Sequence, residues 1–345
     1  MRRPVSLVIL FAALGLVLAT PTRSQDTVGD VLSIQPGARQ AGMGAAGVAL
    51  LGEPSDAVWW NPAALGFVSH PSCQITHAGL FPGVASDVNY WHGAATFPIR
   101  GIVNVGFGYT HLSLGDDQLT DQSGLLLGEF VTRGYSPCAS AGIAVLPNLA
   151  LGATAKWVHI QLPPSRLQGT ASTFAFDGAA LYRMTRDSLT LSLGANMQNL
   201  GSEVAFINED QSTPLPRNLR LGAALQFHSH TGSEGSEVGG VVVIDHSQSL
   251  VTSDFETWNG GAELYGDVHD LVRLSLRGGY YDDSKHEIKG ATIGVGLRVA
   301  GLSLDVGQIP PGRGLKRAST ITVGYHFDQF PHIVNVKRKG QQTVR

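Results

Sequence analysis

The chain has 345 residues, of which 43 are Gly, 17 are Pro and 2 are Cys, and its formal net charge is −3. Charged residues make up 15% of it, against about 25% in a typical soluble domain, and this nearly neutral composition argues against a nucleic-acid-binding protein. The hydrophobic content of 43% argues equally against a disordered chain.

The N-terminus has the pattern of a secretory signal peptide. Arg2 and Arg3 form a positive region, Val5 to Ala19 is almost entirely apolar, and small or polar residues follow. The alternative is an N-terminal membrane anchor, but the apolar run is shorter than the roughly 20 residues that a spanning helix needs. We therefore predict a signal peptide at residues 1–24 and an exported protein.

Residues 25–72 lack an alternating pattern, but the small apolar run from Ala41 to Leu51 would not remain exposed. Asn61 followed by Pro62 fits an N-cap and a first helical position, which predicts a short helical turn from Asn61 to Leu65. Gly and Ala allow close packing of one backbone against another. We predict that the segment packs inside a larger fold, mainly through Gly42, Gly44, Gly47, Trp59, Trp60, Asn61 and Pro62.

From about residue 73 to residue 327 the sequence alternates with a period of two. Val272, Leu274 and Leu276, for example, alternate with polar residues, so that the segment has one apolar face. Many of these segments have the 9–11 residues of a tilted membrane strand, whereas soluble strands average about 5–6. The segments predicted as strands are 73–80, 86–97, 101–111, 137–145, 149–160, 173–184, 189–199, 217–228, 237–246, 257–266, 271–281, 289–298, 301–308 and 318–327.

Alternation alone does not distinguish a membrane barrel from a secreted sandwich. The connections favour a barrel, because short ones such as 146–148 alternate with longer polar ones at 112–136, 200–216 and 229–236. Aromatic residues near strand ends suit the two membrane interfaces: Trp157, Tyr182, Trp258, Tyr280, Tyr325 and Phe327. The predicted fold class is all-β, a membrane-spanning antiparallel β-barrel of about 14 strands at residues 73–327, with residues 25–72 as a plug (hatch) in its lumen.

The faces opposite the apolar ones carry charges. A basic residue that faces lipid at the bilayer centre costs about 2–4 kcal/mol. We therefore expect these side chains to face the lumen and to pair with each other and with the hatch: Lys156, Asp177, Arg220, Glu263, Arg273, Arg277, Arg298 and Asp305.

Two strings in the N-terminal region carry a family resemblance. Residues 37–47 (GARQAGMGAAG) and 55–65 (SDAVWWNPAAL) resemble the N-terminal signature of PorV/PorQ-type outer-membrane proteins, which belong with the FadL-like fourteen-stranded barrels. Further similar strings lie at 193–201, 215–222 and 322–327, so the resemblance covers nearly all of the mature chain. It implies a protein that is not an enzyme. Some such proteins carry or anchor cargo in type IX secretion, and FadL relatives pass hydrophobic molecules.

The motifs that could carry chemistry lack their usual context. Gly42 to Gly47 fits GxGxxG, but no strand precedes it and no acidic residue follows about twenty positions later, so close packing is the better interpretation. His228, His230 and His246 lack a carboxylate at ligand spacing. We therefore predict no catalytic residue, no cofactor and no metal. Cys73 and Cys138 either form one bridge or stay unpaired.

The chain continues for eighteen residues beyond Phe327. A barrel commonly ends on an aromatic residue of its last strand, so these residues are an addition to the pattern. They include Lys337, Arg338 and Lys339. We predict that residues 328–345 form a solvated basic tail.

Two functions remain open. The leading hypothesis is a barrel that binds, shuttles or anchors a secretion-system or surface-protein partner, through an exposed loop from Leu112 to Ser136. Its apolar residues are Leu125, Leu126, Leu127, Phe130 and Tyr135, and exposed groups of this kind mark interaction sites. Alternatively, Leu125 to Val131 is the extended end of a strand. The rival function is a FadL-like conduit, with a hydrophobic ligand in the lumen near Met43, Trp59 and Trp60. Both place the protein in outer-membrane lipid, and neither involves nucleic acid.

Overall fold

The computed structural model describes residues 29–99, 103–121, 123–162, 169–205, 212–230, 237–252, 256–268, 271–283, 288–312 and 315–327. The predicted signal peptide at residues 1–24 and the predicted tail at residues 328–345 lie outside the described residues. No helix in the described ranges is both long and apolar enough to cross a membrane.

In the described ranges, fourteen strands form one closed antiparallel barrel. Each strand pairs with its neighbours in the chain, and β1 closes the barrel against β14, with Ser72 opposite His326. The predicted fold class is thus confirmed. The strands are β1 Ser72–Phe81, β2 Ala85–Phe97, β3 Asn104–Thr120, β4 Leu126–Leu146, β5 Leu149–Gln161, β6 Thr170–Arg186, β7 Leu189–Gly201, β8 Asn218–His230, β9 Glu237–Ser249, β10 Glu256–Val268, β11 Val272–Asp283, β12 Ile288–Val299, β13 Leu302–Ile309 and β14 Ala318–His326.

The apolar faces of the strands point outward and the charged faces point into the lumen. Leu276 is 67% exposed on the outer surface, whereas the next residue, Arg277, is 7% exposed and faces inward. Lys156 and Asp177 are likewise buried and form an ion pair of 2.7 Å. The predicted inward orientation of the charges is confirmed, because alternation along each strand leaves only the lumen for them.

The two ends of the barrel differ in their connections. We call one the short-turn end, because tight turns at 147–148, 187–188 and 300–301 join its strands, and β1 begins and β14 ends there. The opposite end, the long-loop end, carries the connections 121–125 and 202–217 among others. The sequence predicts that the long connection at 229–236 lies at the end opposite the short turns. This prediction is wrong, because β8 ends and β9 begins at the short-turn end.

The predicted loop from Leu112 to Ser136 is mostly strand. β3 continues to Thr120 and β4 begins at Leu126, and these extensions pair with each other beyond the last residues that pair with β2 and β5. We call residues 115–132 the hairpin tip. The sequence suggested a loop because the stretch is long and polar, and the alternative, that Leu125 to Val131 is the extended end of a strand, agrees with β4 from Leu126 onward. Two strands that satisfy each other's backbone hydrogen bonds need no further neighbour.

Residues 29–71, the hatch, lie against the inner surface of the barrel as a series of short helical elements. Asn61 Oδ1 accepts a hydrogen bond from Ala63 N at 3.0 Å, so Asn61 caps the last element, as the sequence predicts. The elements are 3₁₀ turns at Asp30–Leu32 and Pro54–Asp56, α-helices at Ala38–Gly42 and Ala57–Trp60, and a 3₁₀ helix at Pro62–Phe67. The Ala38–Gly42 helix contacts β11 to β14, and Pro62–Phe67 contacts β3 to β6.

Candidate functional site: the lumen between hatch and wall

Wall side chains hold the hatch by its backbone. Hydrogen bonds of this kind come from strands on opposite sides of the barrel, so the hatch is fastened around its whole path. They join Thr322 Oγ1 to Ala38 N (2.9 Å), Thr292 Oγ1 to Gly44 N (2.9 Å), Asp245 Oδ2 to Gly47 N (2.6 Å) and Val48 N (2.9 Å), Asn196 Nδ2 to Trp60 O (2.9 Å), Gln198 Nε2 to Trp59 O (2.9 Å) and Asn104 Nδ2 to Leu65 O (2.6 Å). Because these groups are buried, each bond that is lost leaves an unsatisfied polar group.

A buried charge network joins the hatch to β10, β11 and β13. Arg39 of the hatch donates to Glu263 Oε2 through Nη2 at 2.7 Å. Arg277 donates to the other oxygen of Glu263 at 2.8 Å and to Asp305 at 2.6 Å. Burial and the nearby carboxylates act oppositely on Arg39, and the carboxylates, Glu263 first, raise its pKa overall. The guanidinium groups are therefore charged and paired.

Two further carboxylates lie on the hatch close to the short-turn end. Glu53 contacts Arg298 and accepts from His326 Nε2 at 2.9 Å. Burial acts to raise the pKa of Glu53, but Arg298, His326 and Arg39 hold it well below its usual range. Burial and the neighbouring Glu53 raise the pKa of Asp56 to about 6, against the hydrogen bonds from Gln74 and Gln40.

The sequence does not predict that Arg39, Glu53 and Asp56 pair with buried groups between the hatch and the wall. A usable signal was present, because a charge within a mostly small and apolar segment needs a buried partner. The identity of that partner depends on which strand the segment meets, and the sequence does not specify this.

The glycines predicted to pack the hatch lie at close backbone approaches. A Cβ atom at Gly42 would lie 2.9 Å from the Cα of Gly294, and one at Gly47 would lie 2.5 Å from the Trp60 ring. Gly44 has a φ of +72°, and a Cβ there would meet the carbonyl oxygen of Tyr280. A side chain at Gly42 or Gly44 would move the hatch away from the wall, and one at Gly47 would displace Trp60 within the hatch.

Trp59 and Trp60 are buried between the hatch and the wall. Their rings meet edge to face at 4.8 Å, and the Arg220 guanidinium lies 5.0 and 5.7 Å from the two ring centroids. Trp60 Nε1 donates to Pro36 O at 3.0 Å. Pro62 opens the 3₁₀ helix that follows. The lumen around these residues and Met43, which is fully buried, is filled by the hatch itself.

One sector of the lumen is apolar at the long-loop end. Inward-facing side chains of β1, β2, β3, β5 and β6 form a buried cluster there with the Asp30–Leu32 turn of the hatch and the β7–β8 connection. The cluster contains Val31, Leu32, Ala78, Tyr90, Leu112, Val158, Ile160, Ala171, Ala175, Val204 and Leu215. The charged network of Arg39 lies against β10 to β14 instead, whereas the buried Lys156–Asp177 pair lies on β5 and β6, next to the apolar cluster.

A cavity of about 220 Å³ lies at the short-turn end, mostly within the hatch. Leu50, Trp60 and Phe67 form its apolar wall, and Glu53 and Asp56 lie on its polar side. The Arg183 guanidinium, at the rim, is 3.9 Å from the ring centroid of Phe67. This mixed lining differs from that of the apolar sector.

The residues predicted to bind a partner do not form one surface. Leu125, Leu126 and Leu127 are 64%, 50% and 59% exposed at the hairpin tip, and Phe130 is half-buried near them. Tyr135 lies in the wall on its outer face, with its ring 4.7 Å from that of His159. Their role in binding a partner stays a prediction.

The remaining candidate groups do not converge. His228 faces the lumen and His246 faces outward, so the alternation of the two strands separates them. No group of three or more potential metal ligands occurs among the described residues. Cys73 and Cys138 are both free thiols, with Cys73 on the outer surface of β1 and Cys138 on β4 beside Gly108.

No protein-family model matches the sequence, and no curated protein matches it. Solved structures do match. A Pseudomonas aeruginosa FadL homologue has 14% identity and a TM-score of 0.46, and the match covers 88% of this chain and all of that one. The Pseudomonas putida toluene transporter TodX has 13% identity and a TM-score of 0.46, with 88% and 98% covered. The CymD monoaromatic hydrocarbon channel has 11% identity and a TM-score of 0.49, with 85% and 97% covered.

The fold is similar to that of FadL-type outer-membrane barrels. Identities of 11–14% and TM-scores of 0.46–0.49 do not show that the function is shared. The PorV/PorQ-type resemblance stays a prediction, since no sequence match supports it.

Proposed function

We propose that the chain is a non-enzymatic outer-membrane barrel that admits small hydrophobic molecules, with its short-turn end in the periplasm. The observation that carries this proposal is the apolar sector of the lumen. Tyr90, Leu112 and Val158 face inward and are at most 3% exposed. The interior of a membrane barrel is ordinarily polar, so a buried apolar lining requires a reason.

A hydrophobic solute supplies that reason. Such a solute has to leave water and pass the polar outer surface of the membrane before it reaches lipid. In the described structure the Asp30–Leu32 turn of the hatch covers this lining, so a solute reaches it when the turn moves aside and then gains about 25 cal/mol for each Å² that it buries. Polar solutes gain nothing there.

The experiment measures entry of the apolar dye N-phenyl-1-naphthylamine into intact cells that express the protein. We expect faster dye entry than in vector controls, with unchanged entry of the polar β-lactam nitrocefin. Leu112→Asn places an amide in the apolar sector and should remove most of the increase. Ser247→Asn, an inward position on β9 outside that sector, is the matched control and should retain it.

Three results would contradict the proposal. They are dye entry at the vector rate, equal loss in Leu112→Asn and Ser247→Asn, and an equal increase in nitrocefin entry, which would indicate a general leak. Gel migration of unheated samples checks that each variant forms a barrel.

The exposed leucines of the hairpin tip support a second candidate function, the binding of a protein partner as in type IX-like secretion. The tip is part of the longest hairpin, and three consecutive leucines are at least half exposed there. Co-purification from the native host after mild detergent extraction tests it. A stoichiometric partner that is lost in Leu126→Ser/Leu127→Ser, with dye entry unchanged, would favour this function, and a co-purified apolar molecule without a protein would favour the conduit.

A further inference from the structure

Five side chains form an unbroken row across the outer surface of β1 to β5. The register pairs His77 with Trp91, Trp91 with His111, His111 with Tyr135 and Tyr135 with His159. We call these five residues the histidine row. The rings of His77 and Trp91 are 4.3 Å apart, and those of Tyr135 and His159 are 4.7 Å apart.

The histidine row faces away from the lumen. On each strand the residues before and after the row member are buried: Thr76 and Ala78, Tyr90 and His92, Thr110 and Leu112, Gly134 and Ser136, and Val158 and Ile160. Trp91 is itself 42% exposed. The row therefore contacts whatever surrounds the barrel.

The row lies at the height of the membrane interface nearest the long-loop end. Along β5, His159 is ten residues beyond Leu149, which follows the turn at 147–148. With a rise of about 3.3 Å per residue and a tilt of about 40°, this corresponds to about 25 Å, the height of the apolar band of such barrels. Ile75, Phe107 and Phe174, between the row and the short-turn end, are exposed apolar residues that suit the band itself.

Each member of the row has an N–H or O–H group that can donate a hydrogen bond. One ring nitrogen of His77 contacts Asn89 Oδ1 at 3.1 Å, and one of His159 contacts Ser172 Oγ at 2.7 Å. Asn89 Oδ1 is an acceptor, so His77 Nε2 carries the ring proton, and the other nitrogen of the neutral His77 ring has none to donate. His159 Nδ1 can accept from the Ser172 hydroxyl, which leaves the proton on the other ring nitrogen, and within the described part of the chain that nitrogen has no partner. Trp91 Nε1 and the Tyr135 hydroxyl also have none.

A permanent positive charge accompanies these donors. Arg133 is exposed on the outer face of β4, two residues from Tyr135, and pairs in register with Ser113. No carboxylate of the described chain forms an ion pair with Arg133. The nearest acidic side chain on the same face of β2 is Asp87, two outward positions beyond Trp91, and its carboxylate accepts from Asp116 N at 2.9 Å.

We propose that the histidine row and Arg133 bind the phosphate groups of a phosphorylated glycolipid in the outer leaflet. Phosphate oxygens are acceptors only, and they match a set of donors that has one uncompensated cation. Aromatic residues alone would suffice to anchor the barrel at the interface. His111, His159 and Arg133 add donors at the depth of the headgroups. The proposal rests on the membrane location in the proposed function, and it is independent of the conduit.

The experiment uses the detergent-purified full chain and native mass spectrometry. The probes are diphosphoryl lipid A and the same lipid with both phosphates removed. We expect the wild type to bind the phosphorylated form at least tenfold more tightly, the amount expected from the loss of about one net hydrogen bond. The variant His77→Phe/His111→Phe/His159→Phe/Arg133→Gln, which keeps ring-sized side chains in the row, should lose this preference.

His246→Phe is the matched control. His246 also faces outward and stacks on a tryptophan, Trp258, at 4.4 Å, but it lies 4.0 Å from Glu256 and outside the row. It should bind like the wild type. Equal binding of both lipids by the wild type would overturn the proposal without any variant, as would an unchanged preference in the fourfold variant. Dye entry is expected to be the same in all of them, so failure of the conduit is a separate result.

Discussion

At the scale of single residues, orientation decides whether a charge is tolerated. Val295 on β12 is 49% exposed to the surroundings of the barrel and lies opposite Leu276. Val295→Arg should therefore lower the free energy of unfolding by about 2–4 kcal/mol, which is the cost of a basic side chain facing lipid near mid-depth. Folding into lipid vesicles, followed by gel migration of unheated samples, measures this. Arg273→Leu is the comparison and should do less damage, and equal damage would mean that the faces are misassigned.

Asp56 makes the stability of the hatch depend on pH. Its pKa is raised from 3.8 to about 6, so the folded protein binds a proton more readily than the unfolded chain. The free energy of unfolding should then increase by about 1.4 kcal/mol as the pH falls from 7.5 to 5, because about one pH unit of this window lies below the folded pKa of about 6 and each unit contributes about 1.4 kcal/mol. Glu53, whose pKa is lowered, keeps its contribution in this range and loses it only at lower pH.

Urea unfolding at pH 7.5 and pH 5.0 measures this dependence. Asp56→Asn should reduce the difference between the two pH values, whereas Asp30→Asn, at an exposed position of the hatch, should leave it unchanged. A difference that is the same in Asp56→Asn as in the wild type would show that Asp56 does not cause it.

At the scale of elements, the hatch and the wall depend on close contact between backbones. A Cβ atom at Gly152 of β5 would meet the backbone of Pro62 and Ala63 in the hatch. Gly152→Ala should therefore displace the Pro62–Phe67 helix and cost about 1–3 kcal/mol, as overpacking does. Faster hydrogen exchange in that helix measures the displacement. Gly178→Ala on β6, where a Cβ atom would have open space, should leave the exchange unchanged. Similar exchange in both variants would contradict a close fit.

The elements that the sequence predicted are those defined by short-range periodicity. The strands with outward leucines and valines follow from alternation, and the Asn61 cap follows from local backbone chemistry. The extended β3–β4 hairpin was predicted only as an alternative, a strand extension over Leu125 to Val131, because the polar residues of 112–136 suggested a loop. The Arg39–Glu263 pair joins residues 224 positions apart, and only the closure of the barrel brings them together.

At the scale of the whole molecule, the histidine row illustrates the same limit. Each histidine appears isolated in the sequence, and the row arises from the register of five strands. Register depends on turn geometry and on all the pairings together, so it is not readable from any one segment. The barrel itself was predictable, because an antiparallel sheet of many amphipathic strands pairs the backbone N–H and C=O groups of its two edge strands when it closes.

The closed barrel also fixes which loops share a side of the membrane. The turn at 187–188 and the start of β1 lie at the short-turn end, and the hairpin tip lies at the other end. Outer-membrane barrels have their short turns in the periplasm and their longer loops outside the cell.

Ser123 and Ser188 are both exposed, at opposite ends, and their replacement by Cys changes one atom. In a background with Cys73→Ser and Cys138→Ser, Ser123→Cys should react with a membrane-impermeant maleimide in intact cells. Ser188→Cys should react only after the outer membrane is permeabilised. The reverse pattern would invert the proposed orientation, and labelling of both in intact cells would show that the chain does not separate two compartments.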